Sequence, residues 1–196
     1  MKVLFTKTGL RRYGVLVQRE LAPDVAMNPA PGYDDYLPHD LLHFVAEAEW
    51  NLDGAVFGQL AAGGDAGTFV PTEKALIPRA RRDRKRQRRR AGKPKGRRSE
   101  VLAHLLEDAW YARHGRRFLP DDWEERLEAA RVSREHVERV LERLDELAEQ
   151  WHSLHVGEHL TLDWPRPEGR RHPRASHGRR RGGGGSRASS HRVSHP

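Results

Sequence analysis

Apolar and polar residues alternate in twos at both ends of the folded part of the chain and recur in threes and fours between them. Val3-Leu4-Phe5 and Tyr13-Gly14-Val15-Leu16-Val17 are β-rich runs separated by Thr8-Gly9 and two arginines. They predict an antiparallel hairpin with a loop of several residues. Leu160-Thr161-Leu162-Asp163-Trp164 also alternates and stops at Pro165, so it predicts a strand able to extend the hairpin into a small sheet. Between these ends the period lengthens. Leu41, Phe44, Val45, Ala48 and Leu52 fall on one side of a helix, read at about 100° per residue. A second helix is expected from after Gly54 to Ala62, where Gly54, Gly58, Ala61 and Ala62 would let another backbone approach closely.

Three more helices follow the same logic. Ser99 is a plausible N-cap for a helix carrying Val101, Leu102, Leu105, Leu106, Ala109 and Trp110 and ending near Gly115. Asp121 with Glu124 has the spacing of a capping box for a short helix with Trp123 and Leu127. Ser133 opens the strongest stripe, through Val137, Val140, Leu141, Leu144, Leu147, Ala148 and Trp151. The fold class expected is therefore α+β, a small antiparallel sheet (N-terminal hairpin plus a C-terminal strand) packed with about five helices. Between hairpin and first helix, Pro29, Pro31, Gly32 and Pro38 punctuate an ordered loop that brings Asp34 and Asp35 to the mouth of that helix. Pro38 suits its first turn, and Asp40 favours its dipole.

Charge placement divides the chain. Residues 1–78 carry 6 Lys and Arg against 10 Asp and Glu, and residues 99–168 carry 9 against 17. Residues 79–98 carry 13 against 1, and 169–196 carry 8 against none. Only 36% of residues are hydrophobic while 33% are charged, so part of the chain has no core to bury. The expected organisation is a hairpin-and-helix region at 1–78, a basic linker at 79–98 that is disordered when unbound, a helical region at 99–165 and a disordered basic tail at 166–196. Regions 1–78 and 99–165 would form one domain across the insertion; the alternative is two domains divided at the linker.

The absence of cysteine excludes disulfides and thiolate chemistry and suits a reducing cytoplasm. The start lacks the long apolar core of a signal peptide, and the run Ala55–Gly63 is too short for a bilayer. A cytoplasmic protein without membrane contact is expected. Arginine outnumbers lysine 30 to 6, a composition that goes with GC-rich bacterial genomes.

Candidate chemistry concentrates on the first helix. His39, His43 and Glu47 recur every fourth residue on the side opposite Leu41 and Phe44, with Leu42, Ala46 and Trp50 beside them. The helix is thus expected to be covered on both faces, with a polar ladder in a half-buried seam. Two histidines one turn apart sit about 6 Å apart along the axis and can share a metal. The expected centre is a divalent, zinc-like ion on His39 and His43. Its third ligand would be Asp34, Asp35 or Glu47, with Asp40 and Glu47 as candidate catalytic carboxylates. The competing reading is a histidine/carboxylate ladder that ties two helices together without metal. His152, His155 and His159 straddle a helix end and a glycine and fit no fixed metal geometry.

Two resemblances accompany these residues. The His39-Asp40-Leu41-Leu42-His43 stretch resembles the HDxxH helix of the ubiquinone-biosynthesis family that carries zinc, which implies a metal. That family's further glutamate falls at Ala55 here. The longer stretch Asn28-Pro29-Ala30-Pro31-Gly32-Tyr33-Asp34-Asp35 with Leu37-Pro38-His39-Asp40-Leu41-Leu42-His43-Phe44 is similar to uncharacterised bacterial proteins of GC-rich genomes, a likeness that implies no particular activity.

A second functional reading rests on the linker. Arg81, Arg82, Arg84, Lys85, Arg86, Arg88, Arg89 and Arg90 could neutralise phosphates of nucleic acid nonspecifically, or meet an acidic partner. No aromatic lies among them to stack on bases. Gly63-Gly64-Asp65-Ala66-Gly67 lacks the residues of a phosphate-binding loop, so no nucleotide cofactor is expected. No serine sits in a nucleophile elbow.

Overall fold

The computed structural model describes residues 1–31, 36–90 and 96–168. Strands β1 (Lys2–Gly9) and β2 (Arg12–Gln18) form the hairpin, and β5 (His159–Asp163) pairs with the other side of β1. Two short strands absent from the sequence reading, β3 (Val25–Met27) and β4 (Val70–Pro71), extend the far edge. The sheet is antiparallel throughout in the order β4-β3-β2-β1-β5. Pro71 is tolerated because β4 is an edge strand, where a missing N–H costs no ladder bond.

Alternation sets one face of the sheet. Val3, Phe5, Tyr13, Val15, Val17, Leu160 and Leu162 are buried, and the register places Phe5 between Val15 and Leu160. Helix α1 (His39–Glu49) lies against this face, with the Phe44 ring edge-on to Phe5 at 6.2 Å. Helix α2 (Val56–Ala61) adds Phe57, whose ring is 5.2 Å from that of Phe44. On its opposite side α1 packs against α4 (Arg97–Arg113), and α4 in turn against α5 (Trp123–Ala130) and α6 (Arg134–Ser153). Every residue of α1 from Leu41 to Glu47 is buried, so the helix is covered on both sides. One apolar cluster runs through residues on both sides of the basic segment, from Val3 to Trp164.

Three details differ from the sequence expectation. The basic segment is not without regular structure: Ile77–Arg90 forms helix α3. Arg, Lys, Gln and Ala are all strong helix formers, and that propensity prevails here over the mutual repulsion on which the expectation of disorder rested. Nor is the start of the tail expected at 166–196 free of the fold: Arg166 donates to the carbonyls of Glu47 and Ala48, and Glu168 accepts from the N–H groups of Glu20 and Leu21. Residues 91–95 and 169–196 lie outside the described set. Second, α4 begins at Arg97, so Ser99 is the helix's third residue instead of its cap. Third, Asp122 holds the N-cap position of α5 and makes no side-chain cap bond. Ser133 does cap α6, accepting from the His136 N–H.

Candidate metal centre

The site forms where α1 crosses α4. His39 and His43 are one turn apart on α1, and their Nε2 atoms stand 3.2 Å apart. From α4, Glu100 brings Oε2 to 3.5 Å from His43 Nε2. One ligating atom from each of His39, His43 and Glu100 lies within 4.8 Å of the others, so these three could hold a metal ion. A tetrahedral zinc with bonds of about 2.0–2.1 Å needs ligand atoms about 3.3 Å apart. The two separations from His43 Nε2 bracket that value.

The tautomer of His43 follows from its other nitrogen. Glu47 is fully buried and accepts a 2.8 Å bond from the Ser99 hydroxyl. With Glu47 ionised, that bond uses the one proton of Ser99, so His43 Nδ1, 2.8 Å from Ser99 Oγ, donates its own. His43 Nε2 is therefore left with a bare lone pair facing His39 and Glu100. Burial first, then the neighbouring His39, pushes His43 down to about 4, against the opposing pull of Glu100. At neutral pH it is an uncharged imidazole, the form that ligates. The hydrogen bond at the far nitrogen fixes the orientation of such a ligand.

Glu47 is not placed as the third ligand or as a catalytic carboxylate on the histidines. Its oxygens accept from the backbone N–H groups of Val56 at 3.0 Å, Phe57 at 2.6 Å and Gly58 at 3.4 Å, besides Ser99. It thus closes the N-terminus of α2, whose first N–H groups have no partner within their own helix. The spacing that suggested a ladder is real, but the third rung turns away from the pair. Asp40 likewise turns to the sheet: its Oδ2 accepts from the Tyr13 hydroxyl at 2.6 Å, and its N–H donates to the same oxygen at 3.3 Å. Burial raises the Asp40 carboxyl above its ordinary value, against the lowering bond from Tyr13. This pair pins the first turn of α1 to β2. Asp34 and Asp35 lie outside the described residues.

From the sequence Ser99 is read only as a helix cap, and Glu100 is not singled out. A signal existed, because Glu100 and His104 stand at i and i+4 on α4 as His39 and His43 do on α1. The structure brings His104 Nε2 to 3.2 Å from Glu100 Oε1 and its Nδ1 to 3.5 Å from Glu107. Of the eight linker cations, Arg81, Arg82 and Lys85 are exposed on α3. Arg84, Arg86, Arg88, Arg89 and Arg90 continue the same helix, with side chains outside the described set. His155 pairs with Glu158 at 3.4 Å and His152 with the Tyr36 carbonyl at 2.8 Å; they form no metal cluster with His159 among the described residues.

Among the described residues no helix is long and apolar enough to cross a membrane. No protein-family model, curated protein or solved structure matches the chain.

Proposed function

We propose that the protein binds one divalent, zinc-like ion at His39, His43 and Glu100, in a site of the kind used for hydrolysis. The observation that carries this reading is the convergence of three ligating atoms from two helices to within 4.8 Å. Two features support it. His43 offers an unprotonated Nε2 while its Nδ1 is held by a serine–glutamate pair, the second layer expected around a histidine ligand. Glu100 is 56% exposed, so the ion would face solvent on one side and keep a position for water. Two histidines and one carboxylate with an open position are a ligand set that lowers the pKa of bound water and polarises carbonyl or phosphoryl oxygens.

The test is elemental analysis of the full chain in which His172, His177, His191 and His195 are changed to Gln, so that the tail cannot scavenge metal. One zinc per chain is expected, lost in His39→Ala and in Glu100→Gln. Protein that stays metal-free after zinc exposure, with a melting temperature that zinc does not move, overturns the reading.

A second reading is favoured by one observation: the Glu47–Ser99–His43 chain is complete without an ion, and Glu47 is satisfied by four donors. Here the chain is a polar clamp between α1, α2 and α4. It predicts that Ser99→Ala lowers stability with no metal at any stage of purification or titration.

A further inference from the structure

Helix α3 has two unlike sides. Ile77, Ala80 and Asp83 recur every third residue and are half-buried, in a helix that packs beside β4. Pro78, Arg79, Arg81, Arg82 and Lys85 are exposed. Nine of the residues 79–90 are Lys or Arg, against the single acid Asp83. Laid out at about 100° per residue, these cations cover roughly two-thirds of the helix circumference, and the remaining arc holds Ala80, Asp83 and Gln87. The helix is thus half-buried along one side at Ile77, Ala80 and Asp83, and the exposed cations Arg79, Arg81, Arg82 and Lys85 lie on the other.

We propose that α3 is a docking element for duplex DNA, its cations meeting the phosphates on both walls of the major groove. This inference goes beyond the metal centre and does not depend on it. The charge distribution selects the partner. A membrane-surface helix needs a broad apolar face, and a helix that docks in a protein groove needs apolar anchors one turn apart. The outward side of α3 has neither. A groove about 12 Å wide with phosphates on either side accepts a helix that is charged over most of its circumference. Residues 77–98 contain no aromatic, so the stacking that holds single strands is missing. The regions before and after the basic segment carry 6 cations against 10 acids and 9 against 17. They repel a polyanion and confine its contact to α3 and the basic residues near it. Contacts of this kind are made with phosphates, so the binding carries little preference for base sequence.

The experiment is fluorescence anisotropy on the full chain with a labelled duplex of about twenty base pairs, read as log affinity against log salt. Arg79, Arg81, Arg82 and Lys85 are changed together to Gln in one variant. In a second, the arginines of 169–196 are changed to Gln. The first three positions are changed to Lys in a third, which keeps the charge. The proposal expects the first variant to lose about 3–4 from the salt slope and at least about 10-fold in affinity. The lysine variant keeps both, and the tail variant keeps the dependence on α3. The four side chains are exposed, so an unchanged melting temperature accompanies the loss. Four results overturn the proposal: no duplex binding, a slope indifferent to the α3 substitutions, binding that disappears only with the tail, or a single strand bound as tightly as the duplex. Polyglutamate competing as well as DNA at equal charge also overturns it and points to an acidic protein instead.

Discussion

Glu47 has an unusual position for a carboxylate: no exposed surface, and a hydrogen-bond donor in each of four directions. Burial raises it to about 7, and the donors from Ser99, Phe57, Val56 and Gly58 oppose that rise. The folded state therefore holds this proton more tightly than the unfolded chain, so the contribution to stability is complete below about 4.5 and declines as pH rises towards 7. His43 works in the other direction. Its lowered value, about 4, means the unfolded chain takes the proton first, and stability is recovered as pH rises from about 4 to about 6.5. The two effects oppose each other between about 4.5 and 6.5. Glu47→Gln removes the declining half. Its melting temperature, followed by calorimetry across that interval, is expected to climb with pH more steeply than that of the wild type. A slope equal to wild type removes Glu47 as a titrating group. Ser99→Ala breaks two bonds at once, leaving a buried carboxylate oxygen and a buried imidazole N–H with one partner fewer. An expected cost of about 1–3 kcal/mol follows, read from chemical denaturation. If the metal reading holds, zinc affinity also falls about 10-fold or more.

At the scale of elements, the link between α1 and α2 is a close approach of backbones. A Cβ on Gly58 would lie 2.4 Å from the Asp53 Cα and 2.5 Å from its carbonyl carbon, and neither backbone atom can move without shifting the turn that precedes α2. Gly58→Ala is therefore expected to cost about 1–3 kcal/mol and to loosen the N–H groups that bind Glu47, measured as a lower urea midpoint and faster amide exchange in α2. Of the small residues the sequence marks at Gly54, Gly58, Ala61 and Ala62, Gly58 carries this approach; alternation made β1, β2 and β5 legible, and the apolar stripe did so for α6. What could not be read is informative. β3 and β4 are three and two residues long, too short for alternation to register. Ser99 has the chemistry of a cap, and a cap is what local reasoning assigns. Only packing against α1 shows that its hydroxyl serves Glu47 and His43. Glu100 had a local signal in its i,i+4 spacing with His104, but no spacing within α4 tells that it meets a histidine pair on a second helix, 57 positions before it. The histidine pair was legible because both of its members lie on one helix.

Across the whole molecule, the regions before and after the basic segment share one apolar cluster, and the polar chain Glu47–Ser99–His43 ties them together. Arg166 adds a tie from beyond β5, donating to the carbonyls of Glu47 and Ala48 near the C-terminal end of α1, where a positive charge suits the dipole. An ion on His39, His43 and Glu100 would join α1 to α4 across the segment of chain that separates them. Because only the folded state brings those atoms together, ligand linkage makes the ion stabilising. At a free concentration about 100-fold above Kd the gain is about 2.7 kcal/mol, which for a chain of this size corresponds to a rise of roughly 5–10 °C in melting temperature. His39 makes the control clean. It is only half-buried, and its ring nitrogen bonds to His43, so His39→Ala leaves the Glu47–Ser99–His43 chain whole. Thermal melts with and without zinc are expected to separate by that interval in the wild type and to coincide after chelation. In His39→Ala the metal-free midpoint should stay close to wild type while the zinc-induced rise disappears. A variant that gains as much from zinc as the wild type does would place the bound ion on other histidines, and the crossing of α1 and α4 would then be a clamp alone.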